Sequence, residues 1–213
     1  KMVSFRSQAT QEKEVSLKKI NNFFISYIFI IFIVFSFSAK TLGNENINKK
    51  ITNYFHSIKE FSSGFIQSNG KTIEEGKLYL KNNRLKINYI SPSNIIIIIT
   101  EKKGMYFNQD LEEVQYFNPR NSIAKIFFQI FFDKYFFNDA NFHEKEKSLF
   151  INKTIIFESQ KYNVTIIFEK SPLIIRKIQI ENAGNITTYS ILDPNFNPIL
   201  DDSFFSLVNP LIG

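Results

Sequence analysis

Between Phe61 and Phe117 the chain falls repeatedly into short apolar-rich runs separated by turn residues. The runs 61–68, 73–81, 84–90, 94–101, 104–108 and 111–117 have the length of strands. The connectors Ser68-Asn69-Gly70, Asn82-Asn83, Ser91-Pro92-Ser93, Lys102-Lys103-Gly104 and Asn108-Gln109-Asp110 carry the residues that hairpin turns need. Links this short force neighbouring strands to be antiparallel. A sheet packed on one face should then alternate apolar and polar residues. Leu78-Tyr79-Leu80 and Ile95 to Ile99 run through that alternation. Either both faces are buried there, or one face lines an apolar cavity.

The pattern has a helical period on either side of this meander. Ile47, Ile51, Tyr54, Phe55 and Ile58 form one apolar stripe over 44–60, with Lys49, Lys50, Asn53 and Lys59 on the wet side. After the break at Asn118-Pro119-Arg120, Ser122 is positioned to cap a helix beginning at Ile123. That helix, Ile123 to Ile130 continued by Phe131 and Phe132, is apolar nearly all round and needs a surface to cover it. Asn141 to Ser148 is charged and reads as a loop or a poor edge strand. Strands resume at 149–158, 161–169, 173–182 and 185–193, and Ser203 to Val208 reads as a further edge strand. Ten or eleven strands and two helices in one chain, with no repeat and no linker, predict a single curved sheet covered by helices on its concave side.

Residues 1–43 stand apart. Lys18-Lys19 followed by the apolar stretch Phe23 to Phe37 has the order of a secretory signal, too short for a bilayer span. Cleavage sites follow at Ser38 and at Gly43. The expectation is a signal-bearing extension over 1–43, a domain over 44–213, and export to the periplasm. An uncleaved N-terminal anchor is the other reading of that stretch. Half of the net charge of +6 lies before Ala39, and the rest is spread out, so no nucleic-acid patch is expected. The absence of cysteine excludes disulfides, thiol chemistry and lipidation at a cysteine.

Little else could do chemistry. The two histidines are His56, on the first helix, and His143, beside Glu144 and Glu146. A metal site at His143 is the less economical reading of a solvated charged segment. Glu74 and Glu75 are neighbours in a strand and point to opposite faces, so they cannot act as one acid–base pair. No nucleophile elbow, phosphate loop or zinc-protease motif is present. The sequence predicts a non-enzyme with no cofactor and no metal.

In order and spacing, several elements together resemble the LolA family of periplasmic lipoprotein carriers. They are Phe61-x-x-x-Phe65-x-Gln67, Glu75-Gly76-x-Leu78-Tyr79-Leu80-Lys81, and Arg84-Leu85-x-Ile87-x-Tyr89 with Pro92. Gly104-x-Tyr106 with Val114 and the terminal Asp202-Ser203-Phe204-Phe205 complete the set, so the resemblance spans residues 47 to 209. It implies a mainly β fold with a helical lid: an incomplete, half-open antiparallel β-barrel of about eleven strands.

The resemblance also implies a function. Such a carrier takes acylated lipoproteins from an inner-membrane lipoprotein-releasing ABC transporter to an outer-membrane acceptor, and acts as a monomer. The implied cavity is lined by Leu78, Leu80, Leu85, Ile87 and Tyr89, by Ile95, Ile97 and Tyr106, by Val114 and Tyr116, and by Val164, Ile166 and Phe168. The implied lid is formed by Ile123, Ile126, Phe127, Phe128 and Phe131, although the residues alone favour plain core for this helix. Family members often latch the lid with an arginine followed by proline; here that position reads Lys81-Asn82. Lys81 is the preferred latch and Arg84 the other candidate. An envelope-stress sensor built on the same half-barrel, or a carrier of another lipid, is the competing reading.

Overall fold

The computed structural model describes residues 46–212. The basic-then-apolar segment and its two cleavage positions lie outside the described residues. Residues 47–212 pack as one compact unit. A helix α1 over 46–57 precedes the meander. Six strands follow: β1 (Glu60–Ser68), β2 (Ile73–Lys81), β3 (Arg84–Ser91), β4 (Ile95–Ile99), β5 (Gly104–Asn108) and β6 (Glu113–Phe117). Helix α2 spans Ala124–Phe132. The second set of strands is β7 (Asn141–Lys145), β8 (Ser148–Phe157), β9 (Gln160–Lys170), β10 (Leu173–Asn182) and β11 (Asn185–Asn195).

All eleven strands join one open antiparallel sheet in the order β6-β5-β4-β3-β2-β1-β11-β10-β9-β8-β7. The first and last strands pair at its centre, from Ser62 opposite Asn195 to Ser68 opposite Thr188. The chain walks by hairpins to one edge, β6, and then leaves the sheet. It re-enters at the opposite edge, β7, and walks back. The segment between those edges carries α2, so the connection that topology demands is also the one able to cover a face.

The turns follow from their residues. Asn82 and Asn83 have φ of 49° and 55°, the left-handed pair of a two-residue hairpin loop. Glu158 and Ser159 adopt the same pair at 48° and 62°, joining β8 to β9 with residues that do not advertise it. The charged segment after Asn141 is the edge strand β7, and its polarity protects an unpaired edge. Ser122 does not cap α2. Ile123 occupies the cap position without a side-chain bond, and the Ser122 hydroxyl donates to the Pro119 carbonyl at 3.2 Å. Ser203 to Val208 is not a strand either. Asp201 accepts from the Ser203 N–H at 2.8 Å and starts a 3-10 turn, Asp202–Phe205, which lies across the sheet instead of pairing with it.

Cross-strand partners share a face, so the register divides the sheet into two sides. Phe61, Phe65, Leu78, Leu80, Leu85, Ile87 and Ile99 lie on the inner side. There they join Leu149, Ile151, Val164, Ile166, Phe168, Ile175, Ile178, Ile180 and Ile191 in one core with both helices. Ile98, Met105 and Phe205 form a second core on the outer side of β2–β6, with Tyr79, Ile96, Val114, Leu200, Phe204 and Leu207 packed against it. The isoleucine run of β4 is thereby explained. Ile95, Ile97 and Ile99 serve the inner face, Ile96 and Ile98 the outer face, and both are covered.

Candidate functional site: the inner face and its helical cover

Helix α2 turns Ala124, Ile126, Phe127, Ile130 and Phe131 onto the inner face, and Ile126 is fully buried. Phe131 meets Phe55 of α1 edge-on at 5.7 Å, and Phe127 meets Tyr189 at 4.7 Å. Ile123 is 44 % exposed and Phe128 is half-buried, so the sheet holds three of the five residues expected in the lid.

Among the described residues, no hydrogen bond joins α2 to a strand; its polar contact with the sheet is the Lys125 ammonium 5.1 Å above the Phe157 ring. Gln129 Oε1 is buried with no protein donor within reach. The flanks are pinned instead. Arg120 pairs with Glu101 at 2.8 Å, while Lys153 donates to the Phe136 carbonyl at 2.6 Å and pairs with Asp139. That ammonium holds the Asp139 carboxyl below the usual carboxylate range.

Beneath Phe127 lies an apolar cavity of about 20 Å³, bounded by Phe65, Leu78, Ile87, Tyr89, Ile178, Tyr189 and Ile191. Space on this scale admits about one water-sized group, so no acyl chain fits while α2 is seated. Gly76 lets Phe65 reach this place: a Cβ there would fall 2.8 Å from the Phe65 ring and against the Asn88 carbonyl oxygen.

Larger openings lie at the two ends of β4. One, of about 210 Å³, is lined by Glu74, Tyr89, Ser91, Pro92, Ser93, Ile95, Ile97 and Tyr106. The other, of about 230 Å³, is lined by Thr100, Glu101, Pro119, Arg120, Lys125, Phe128 and Gln129. Tyr89 borders both the first mouth and the central cavity. Its hydroxyl donates to Gln67 Oε1 at 2.7 Å, and Gln67 Nε2 donates to Glu74 Oε2 at 2.5 Å. Burial, with Tyr189 and the Glu74 charge nearby, raises the Tyr89 hydroxyl well above the ordinary phenol range. Burial followed by Glu74 does the same to Tyr189.

The expected cavity residues divide into four groups. Leu78, Ile87 and Tyr89 line the central cavity, and Ile95, Ile97 and Tyr106 line the first mouth with Tyr89. Leu80, Leu85, Val164, Ile166 and Phe168 are on the same face but are packed solid. Val114 and Tyr116 are corrections. They pair with Phe107 and Met105 on the outer face, and the Tyr116 hydroxyl donates to the Leu207 carbonyl at 3.0 Å. The β5–β6 loop runs through Glu112 at φ 52°, longer than the expected connector, and a changed register exchanges the faces.

The latch assignment is also corrected. Lys81 and Arg84 are cross-strand partners pointing away from the inner face. Lys81 donates to the Leu200 carbonyl and pairs with Glu60 at 3.1 Å, while Arg84 pairs with Asp202 at 2.5 Å. Both hold the C-terminal segment, and neither touches α2.

His143 stacks on Phe150 with ring centroids 4.7 Å apart, while Glu144 on the opposite face pairs with Lys170 at 2.8 Å. Sequence reasoning missed Phe65, Ile178, Tyr189 and Ile191 around the central cavity, and Ile130 and Phe137 in its cover. Ile130 was within reach, four residues after Ile126 on one helical face. Tyr189 and Ile191 were hidden among Thr187, Thr188 and Ser190.

A family model described as "Outer membrane lipoprotein carrier protein LolA" matches residues 56–208. An uncharacterized protein of Rickettsia prowazekii (strain Madrid E) is 27% identical over 191 residues, which are 87% of this chain and 88% of that protein. An uncharacterized conserved protein from Thermus thermophilus aligns at TM-score 0.49 and 6% identity, over 73% of this chain and 89% of the other. The Pseudomonas aeruginosa MucA/MucB complex structure aligns at TM-score 0.44 and 7% identity, over 74% of this chain and 60% of that one.

Proposed function

This chain belongs to the LolA family, and from that membership we propose that it is a periplasmic carrier for the acyl chains of lipoproteins. It receives them from an inner-membrane lipoprotein-releasing ABC transporter and delivers them toward an outer-membrane acceptor. The observation that carries this reading is the nature of the cover. An apolar sheet face is closed by a helix that contributes apolar side chains and makes no hydrogen bond to the strands beneath it, among the described residues.

Such a cover exchanges readily for an apolar guest. Four large α2 side chains, each contributing about 1.5–3 kcal/mol of burial, hold the helix down with about 6–12 kcal/mol as an upper estimate. One acyl chain of about fourteen methylenes contributes about 11 kcal/mol when removed from water. The two are close to balanced. A chain can therefore displace α2, and α2 can help to expel the chain at the acceptor. Phe128, half-buried beside the second mouth, belongs to α2 and moves with it as the helix lifts.

The test is to purify residues 44–213 from a bacterial periplasm, identify bound acylated protein by mass spectrometry, and assay release of a triacylated lipoprotein from spheroplasts. Recovery of acylated lipoprotein and release into the soluble fraction are expected. Lipid-free protein that releases nothing would overturn the reading. Capture of a partner lacking acyl chains would favour a sensor.

A further inference from the structure

The first mouth carries a polar group that an apolar carrier does not require, and its hydrogen bonds have a direction. An ionised carboxylate only accepts, so the Gln67 nitrogen must be the atom facing Glu74. The Gln67 oxygen then faces Tyr89, whose O–H donates to it. The relay commits the phenol proton inward and leaves the Tyr89 oxygen lone pairs and Glu74 Oε1 as acceptors. Among the described residues no cation lines this mouth, whereas the other mouth contains Arg120 and Lys125 beside Glu101. The two mouths therefore differ in charge and in hydrogen-bonding sense.

We propose that Glu74, Gln67 and Tyr89 form a subsite for the polar end of the guest, selective for a primary amine on an acyl-bearing molecule. This rests on the carrier reading and adds to it a preference for guests whose amine is free; a triacylated lipoprotein, whose cysteine nitrogen is an amide, binds through its acyl chains and gains nothing from the subsite. The acyl chain takes the place of the α2 side chains beside Tyr89, and the amine emerges between Ser91–Ser93 and Glu74. An ammonium supplies the donors that these acceptors lack, and a charge-assisted bond to a carboxylate in a half-buried mouth is stronger than a neutral one. A quaternary amine has no N–H and gains only the weaker charge attraction.

The experiment measures displacement of phenylnaphthylamine from residues 44–213 by two lysophospholipids with the same palmitoyl chain, one bearing ethanolamine and one choline. The ethanolamine lipid should bind on the order of tenfold more tightly. Glu74→Gln should abolish that preference, weakening the ethanolamine lipid about tenfold and the choline lipid far less. Equal affinities in the unmodified protein, or a preference that survives Glu74→Gln, would overturn the subsite and leave the carrier reading standing. Loss of both affinities together in Glu74→Gln would make Glu74 a structural residue and overturn it too. Failure of the dye and of both lipids to bind would remove the carrier reading and the subsite with it. A lipopeptide carrying one palmitoyl chain and a free amine identifies the source of the group. Stronger competition than the ethanolamine lipid assigns the amine to an acylated polypeptide, weaker competition assigns it to a phospholipid, and either result upholds the subsite.

Discussion

The two faces of the sheet are covered in opposite ways. On the outer face the C-terminal segment is tied down by directional contacts. Arg84 holds Asp202, Lys86 donates to the Phe204 carbonyl at 3.0 Å with its ammonium 3.6 Å above the Phe204 ring, and Tyr116 holds the Leu207 carbonyl. On the inner face α2 lies on the strands through apolar contact, with a buried amide oxygen left without a protein donor. Apolar contact is non-directional, so any guest of similar surface can replace it. A charged or hydrogen-bonded strap leaves orphaned groups when it lifts. The same β-sheet therefore has one fixed cover and one exchangeable cover.

Matched substitutions at buried phenylalanines would break this contrast if it were false. Phe205 is 3 % exposed under the strap and Phe127 is 8 % exposed under the helix. Phe205→Ala should cost about 3–5 kcal/mol in urea unfolding, with no gain in dye binding. Phe127→Ala should cost less and should bind phenylnaphthylamine several-fold more tightly, because the space joins the central cavity. Equal losses with no change in dye affinity would make α2 ordinary core. Phe128→Asp should spare folding, as read by the same unfolding curve, and reduce lipoprotein release from spheroplasts. Global unfolding of that variant would have the same meaning as equal losses.

Smaller effects sharpen the comparison. Tyr89 and Tyr189 keep their protons in the folded protein beyond the pH at which unfolded tyrosines ionise. Their contribution is complete below about pH 10 and is lost as pH rises from there through the raised folded values. Absorbance of tyrosinate should therefore show two residues ionising only as the protein unfolds. Arg84→Ala, on the exposed rim of the strap, should cost only about 0.2–1 kcal/mol and leave lipoprotein release unchanged. A change in release would restore Arg84 as a latch.

The strands were legible where one residue type dominates one face, as at Tyr162, Val164, Ile166 and Phe168, and where Asn-Asn or Ala-Gly marks the turn. The stripe of α1 and the greasy α2 were legible for the same reason. The outer cover was not. Phe204 and Phe205 alternate no differently from an edge strand, and only the lysines and arginine across the sheet decide that they form a strap. Val114 and Tyr116 were assigned to the wrong face because a single step of register in the β5–β6 loop sends every side chain of β6 to the other side. The polar cluster at the first mouth was hidden for a different reason. Gln67, Glu74 and Tyr89 come from three strands, and nothing in their local patterns says that they meet.

Amide hydrogen exchange in residues 124–132 and 200–208, with and without a saturating triacylated lipoprotein, tests the exchangeable cover most directly. Loading should accelerate exchange in α2 by lifting it from the sheet while the C-terminal segment stays protected. Unchanged protection of α2 in a loaded complex, or opening of the C-terminal segment in its place, would contradict it.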